Sequence, residues 1–141
     1  MLLVEADGKA LFAQHGIPVP DGVVAGAGVS VTPPGHGPWM VKAQVPVGGR
    51  GKVGGVVRCA SADEANAAAL RMLGSRLKGH NVDAVLIEQA AAGQERYLSV
   101  MVDAASYGLR VIYATQGGVE IEQSGAAQGR LCPPHPGGVV E

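Results

Sequence analysis

The chain has 141 residues, a formal net charge of −1 and two cysteines, which is enough for one domain with a core or a small domain plus part of another. A charge balance this near neutral excludes a global attraction to nucleic acid or anionic membrane, so any positive field is local. Cys59 and Cys132 lie far apart, which suggests no disulfide framework and fits a reducing compartment.

No apolar run approaches the roughly 20 residues of a membrane span. The start, MLLVEADGK, leads with acid where a signal peptide carries base. The expectation is a soluble, cytoplasmic protein that meets neither membrane nor nucleic acid. Residues 4–15, VEADGKALFAQH, place Val4, Leu11 and Phe12 near helical spacing, with Gly16 as a stop and Pro18 and Pro20 beyond. Gly8 inside that helix costs about 1 kcal/mol against Ala, so packing is expected to hold it. From Asp21 to Pro38 the chain is mostly Gly, Val and Pro. VVAGAGVSV reads as one strand and TPPGHGP as a loop with an ordinary histidine, His36.

The stretch from Trp39 to Arg58, WMVKAQVPVGGRGKVGGVVR, reads as strand, loop, strand. Gly48, Gly49, Gly51, Gly54 and Gly55 crowd the loop, and Arg50 and Lys52 stand among them. Such a loop can adopt positive φ and bring backbone N–H groups close to an anion, with phosphate the obvious one. The alternative is a flexible hairpin with solvated charges. Gly49, Gly51 and Gly54 satisfy G-x-G-x-x-G, yet the chain continues into a strand where a dinucleotide fingerprint opens a helix. The strand lysine, Lys42, precedes the loop where a kinase lysine follows it, and Lys52 is followed by Val53, which breaks the Walker A pattern.

SADEANAAALRMLGSRLKG follows as the clearest helix, with Ser61 and Glu64 as a capping box and Gly79 as its close. Ala65, Ala68, Ala69, Met72, Leu73 and Leu77 form its core face, leaving Arg71, Arg76 and Lys78 outside. VDAVLIEQ is another strand, ending in Glu88. After the link QAAAGQ a second acid, Glu95, heads ERYLSVMVD, which pairs with LRVIYAT as an antiparallel hairpin. Glu88 and Glu95 either face one cleft, with Glu95 on ribose hydroxyls and linker backbone on an adenine edge, or are solvated strand-end charges. GGVEIE alternates as a half-exposed strand. The tail, QSGAAQGRLCPPHPGGVVE, reads as a linker or a cut edge, and the Cys132–His135 pair lacks the further ligands a zinc site needs.

LVEADGKALFAQHGIPVP, GPWMVKAQVPVGGRGKVGGV, VLIEQAAAGQERYLSVMVD and ATQGGVEIE, in this order, resemble the amino-terminal part of the succinyl-CoA synthetase β subunit family, which includes malate-CoA ligase and other ADP-forming acyl-CoA synthetases. The resemblance implies an α+β ATP-grasp subdomain. Its parts would be an N-terminal helix and exit over 1–20, a small subdomain over 21–93, the start of the larger subdomain over 94–123, and a tail over 124–141. It implies that Lys42 contacts nucleotide phosphates, that Gly49, Arg50 and Gly51 cover them, that Glu88 and Ala91 lie at the hinge beside the adenine, and that Glu95 takes the ribose. It further implies ATP or GTP with Mg²⁺, a small carboxylic acid and CoA as substrates, and a CoA-binding α subunit whose phosphohistidine exchanges phosphoryl with the nucleotide.

The chain departs from the family at Pro46, where a histidine is usual, and in a hinge one residue shorter between Glu88 and Glu95. The family's Asn and Asp metal ligands lie downstream of GGVEIE, so no metal ligand and no catalytic residue is assigned here. The expectation is a piece of a ligase, inactive alone. Two alternatives are another ATP-grasp carboxylate ligase, of the carboxylase or amide-forming kind, and a non-catalytic nucleotide- or protein-binding module.

Overall fold

Alternating burial along Trp39–Ala43 sets the architecture: Trp39, Val41 and Ala43 are buried, while Met40 and Lys42 face the other way. The computed structural model describes residues 2–29, 31–117 and 128–133. These fall into two compact units, Met1–Ala91 and Ala92–Glu141.

In the first unit, β1 (Gly22–Gly26), β2 (Trp39–Ala43), β3 (Val56–Cys59) and β6 (Ala84–Gln89) form a sheet in the order β1-β6-β2-β3, every pairing antiparallel. Register puts Val41 opposite both Ile87 and Val57, and Ala43 opposite Val85. These apolar side chains share one face. Helix α2 (Ala62–Met72) covers it with Ala65, Ala68, Ala69 and Met72. Val41, Val82, Val85 and Ile87 are the largest fully buried side chains, each contributing roughly 1.5–3 kcal/mol by leaving water. Cys59 belongs to the same core, where burial raises its thiol pKa, so it behaves as a small hydrophobe.

The start of α2 is as expected at Ser61, though the reciprocal bond of the box falls on Ala60 and not on Ser61. Ser61 Oγ accepts from the Glu64 amide at 3.1 Å, and Glu64 reaches back to the Ala60 amide at 2.7 Å. Its end is not. The helix stops at Met72 and does not run to Gly79: Leu73 is already extended, with ψ 132°, and the Gly74 amide, at φ +75°, donates to the Val82 carbonyl and not back into the helix. Arg76–Leu77 (β4) and His80–Asn81 (β5) then pair across Lys78 and Gly79, both at positive φ, as a two-residue hairpin. Leu77 still reaches the core, but from this hairpin.

Helix α1 (Glu5–Gln14) also differs from expectation. None of its residues is buried, and Leu11 and Phe12 are 43% and 53% exposed. A cleft of about 320 Å³, lined in part by Ala10, Ala13, Val24 and Leu86, separates much of the helix from the second face of the sheet. Apolar packing therefore contributes little to its docking.

The second unit is a three-stranded antiparallel sheet, β7 (Tyr97–Asp103), β8 (Gly108–Ala114) and β9 (Gln128–Cys132), in that order. The hairpin of β7 and β8 matches the sequence reading, and Arg110 pairs with Asp103 beside its turn. Strand β9 lies inside the segment read as a tail, so part of that segment is structured. GGVEIE falls outside the described residues except for Gly117, and so does His135.

Candidate functional site

Three basic and two acidic side chains converge on the sheet face opposite α2. Lys42 points there because β2 alternates. Glu88 shares the face because the β2–β6 register sets it opposite Met40, one diagonal step from Lys42. Lys42 Nζ lies 2.6 Å from Glu88 Oε1 and 2.8 Å from Glu5 Oε1. Lys9 Nζ reaches Glu88 Oε2, and lies 3.1 Å from Glu5 Oε1. Arg50 Nη2 donates to Glu5 Oε2 at 2.6 Å, while its Nη1 donates to the Ala43 carbonyl at 2.6 Å. Gln44, itself buried, ties helix to strand by accepting from the Ala6 amide and donating to the Lys42 carbonyl, each at 2.9 Å.

Burial is severe at one member. Glu88 is 2% exposed, and an uncompensated carboxylate there would cost several kcal/mol, so Lys9 and Lys42 are what permit it. For Glu5, burial opposes ionisation, but hydrogen bonds and charge from Lys42, then Lys9 and Arg50, hold its pKa at about 2. Burial likewise works against the Lys42 ammonium, and Glu5 and Glu88 overcome it, raising the pKa above the ordinary lysine value.

The loop between β2 and β3 brings Arg50 to this cluster. Gly49 adopts φ +66°, a value glycine takes without strain, and a short 3-10 turn follows over Arg50–Val53. At its far end Gly55 donates to the Arg50 carbonyl and accepts from the Ala43 amide, both at 2.8 Å. A Cβ on Gly55 would sit 2.6 Å from Leu77 Cδ1 and 3.1 Å from the Arg50 carbonyl oxygen, so a side chain there would have to displace Leu77. Lys78 Nζ donates to the Gly48 carbonyl at 2.8 Å, bracing the loop from the β4–β5 hairpin. Arg50 and Gly51 open the 3-10 turn, where the first N–H groups have no partner within the turn itself. Lys52 is exposed on the same turn.

A family model for the ATP-grasp domain matches residues 2–130. The chain belongs to the ATP-grasp family. This ATP-grasp chain is 44% identical over 134 residues to the β subunit of ADP-forming succinate–CoA ligase from Xanthomonas oryzae pv. oryzae (strain PXO99A), a match covering 86% of this chain and 34% of the relative. Similar β subunits from Stenotrophomonas maltophilia (strain K279a) and Xylella fastidiosa (strain M23) are each 43% identical, over 34% and 35% of their lengths. The chain thus spans about a third of these curated relatives. Among solved structures, ATP citrate lyase from Methanothrix soehngenii, in complex with citrate and coenzyme A, shares the fold with a TM-score of 0.71 at 18% identity, over 93% of this chain and 34% of that one.

Of the residues singled out from sequence, the ATP-grasp fold brings Lys42, Arg50 and Glu88 into one cluster, with Gly49 and Gly51 in the adjoining loop. Ala91 is exposed just past β6, at the end of the first unit. Glu95 is exposed in the second unit, where its carbonyl accepts from Gly117 at 2.9 Å. Sequence reasoning missed Glu5, Lys9 and Gln44. The Glu5–Lys9 spacing of four on a helix was the available signal, since it sets an acid and a base on one face. Among the described residues, no group of three or more His, Cys, Asp and Glu side chains is placed to hold a metal ion.

Proposed function

We propose that this chain is the nucleotide-binding part of an ADP-forming acid–CoA ligase of the succinyl-CoA synthetase β type. The observation that carries the reading is the convergence of Lys42 and Arg50 beside the glycine loop of a chain 44% identical to a succinate–CoA ligase β subunit. An ammonium with one uncommitted donor and a guanidinium with three can take phosphate oxygens without giving up Glu5, Glu88 or Ala43. That donor set fits a polyphosphate.

In this reading Lys42 and Arg50 neutralise phosphate charge, Gly49 and Gly51 let the loop backbone close over it, and the link past Glu88, through Ala91, borders the adenine. The Glu88 side chain acts through Lys42, because its oxygens are committed to Lys9 and Lys42. Glu95, heading the second unit, accepts hydrogen bonds from the ribose. Mg²⁺ would supply the remaining neutralisation of the phosphates when bound. The phosphoryl group passes between ATP, or GTP, and a histidine on a CoA-binding α subunit, and from there leads to the acyl-CoA. In this reading the setting is the cytoplasm and the tricarboxylic acid cycle.

The test is a calorimetric titration of the 141-residue chain with ATP and excess Mg²⁺, beside Lys42→Ala. Saturable binding that Lys42→Ala weakens by roughly 1.5–3 kcal/mol, the range for a hydrogen bond to a charged group, supports the reading. Saturable binding indifferent to Lys42→Ala sinks it.

A further inference from the structure

Lys42 sits on a strand and Arg50 on a glycine-rich loop, and neither element alone fixes where the two charges point. One side chain touches both. Glu5 Oε1 is 2.8 Å from Lys42 Nζ, and Glu5 Oε2 accepts from Arg50 Nη2 at 2.6 Å. We propose that Glu5 is a positioning residue for the phosphate site, a carboxylate bridge from helix α1 that holds the Lys42 ammonium and the Arg50 guanidinium side by side with their remaining donors turned to the anion. The inference rests on the nucleotide reading above and adds to it a residue on an element outside the glycine loop.

The arrangement has the features a positioning carboxylate needs. Each Glu5 oxygen serves a different phosphate-facing cation, so loss of one carboxylate takes an anchor from both. The second anchors do not replace it: Glu88 holds Lys42 from the sheet, and the Ala43 carbonyl holds Arg50 from the strand end. Those two anchors do not meet each other's cation. Lys9 shares Glu5 Oε1 at 3.1 Å, leaving the five-charge cluster at +1 before an anion arrives, three cations against two carboxylates. The bridge thus orders the cations and still leaves net positive charge for phosphate.

The experiment compares Glu5→Gln with the parent chain in titrations of ATP with Mg²⁺ and of adenosine, the latter followed by NMR shifts so that weak binding is read. Glu5→Gln keeps the shape and removes the charge. The expected result is an ATP affinity about 10-fold lower, one charged hydrogen-bonding arrangement lost, with adenosine affinity unchanged. Ala10→Gly, which weakens helix α1 but removes no charge, is the control for mere destabilisation. It is expected to leave the ATP-to-adenosine ratio intact.

Equal losses for ATP and adenosine, no loss for ATP, or the same ATP loss in Ala10→Gly would each overturn the inference. Tighter ATP binding in Glu5→Gln would also overturn it and mark Glu5 as a competitor of phosphate. If the parent chain binds no ATP, the nucleotide reading fails by itself. The bridge is then decided by the Arg50 guanidinium and Lys42 ammonium NMR signals. Signals ordered in the parent and averaged in Glu5→Gln uphold it, and signals identical in both refute it.

Discussion

Glu5 and Lys42 stabilise each other's charge, and the direction of each pKa shift says when that help is lost. Glu5 falls from an ordinary 4.5 to about 2, so its contribution is complete above about pH 4.5 and disappears as pH drops from there toward 2. Lys42 is raised above 10.5, so its contribution is complete below that value and fades only as pH climbs beyond it. The docking of α1, followed by the amide NMR signals of Glu5–Lys9, is therefore expected to hold unchanged from pH 5 to 10 and to weaken below pH 4.5. Loosening at pH 6 would show that Glu5 does not carry the docking. Lys42→Met tests the same cluster from the other side. It leaves a carboxylate that is 2% exposed with Lys9 alone, and chemical denaturation is expected to register a loss of about 1–3 kcal/mol. An unchanged midpoint would mean that Lys9 suffices for Glu88. At this scale the sequence exposed half the cluster. Lys42, Arg50 and Glu88 stood out by motif and resemblance, while Glu5 and Lys9 lay on a short helix whose partners are 37 to 79 residues away in the chain, a separation that no local pattern reports.

Elements were legible where a local rule and tertiary packing agree. Strands β2, β3, β6, β7 and β8 followed from alternation and β-branched content, and the start of α2 from its capping box. Where the two diverge, pattern misleads. Leu73 and Leu77 continue the helical spacing of α2, so the periodicity extends past the helix, yet Gly74 and the Lys78–Gly79 turn hand Leu77 to a hairpin. Strand β9 was hidden for a related reason: QGRLC is a poor strand by itself and forms one by pairing with β8 from Tyr113 to Leu109. In α1, Leu11 and Phe12 suggested packing, but the helix is fixed by ion pairs and by Gln44. The cap of α2 offers a clean element-scale test. Ser61→Ala removes the acceptor for the Glu64 amide and is expected to lower stability by about 1 kcal/mol in denaturant unfolding. A change within a few tenths would assign the helix start to packing alone.

The two units are not equally provisioned, and this bears on the whole molecule. Nearly all the buried apolar side chains among the described residues lie in the first unit, and Ala114 is the sole contribution from the second. The register of the second sheet sets Leu98, Val100 and Val102 on one face with Tyr113, Val111 and Leu109 opposite them, and Leu98, Val100 and Val102 are 67%, 57% and 79% exposed. A three-stranded sheet stays folded by covering one face, and this one has its apolar face open. Native-state amide exchange on the 141-residue chain is expected to split accordingly. Amides of β2 and β6, paired on both sides above a packed helix, should exchange with the protection of global unfolding. Those of β7 and β8 should exchange orders of magnitude faster, through local opening that leaves the first unit intact. Replacing Val100 and Val102 by Thr, which keeps β-branching while making the open face polar, should leave β2 and β6 protection unchanged and reduce binding of an apolar dye. Protection in β7 and β8 equal to that in β6 would mean that the two units unfold together, and the exposed face would then have to be covered by contact between copies of the chain, which a concentration series of the same exchange experiment would reveal.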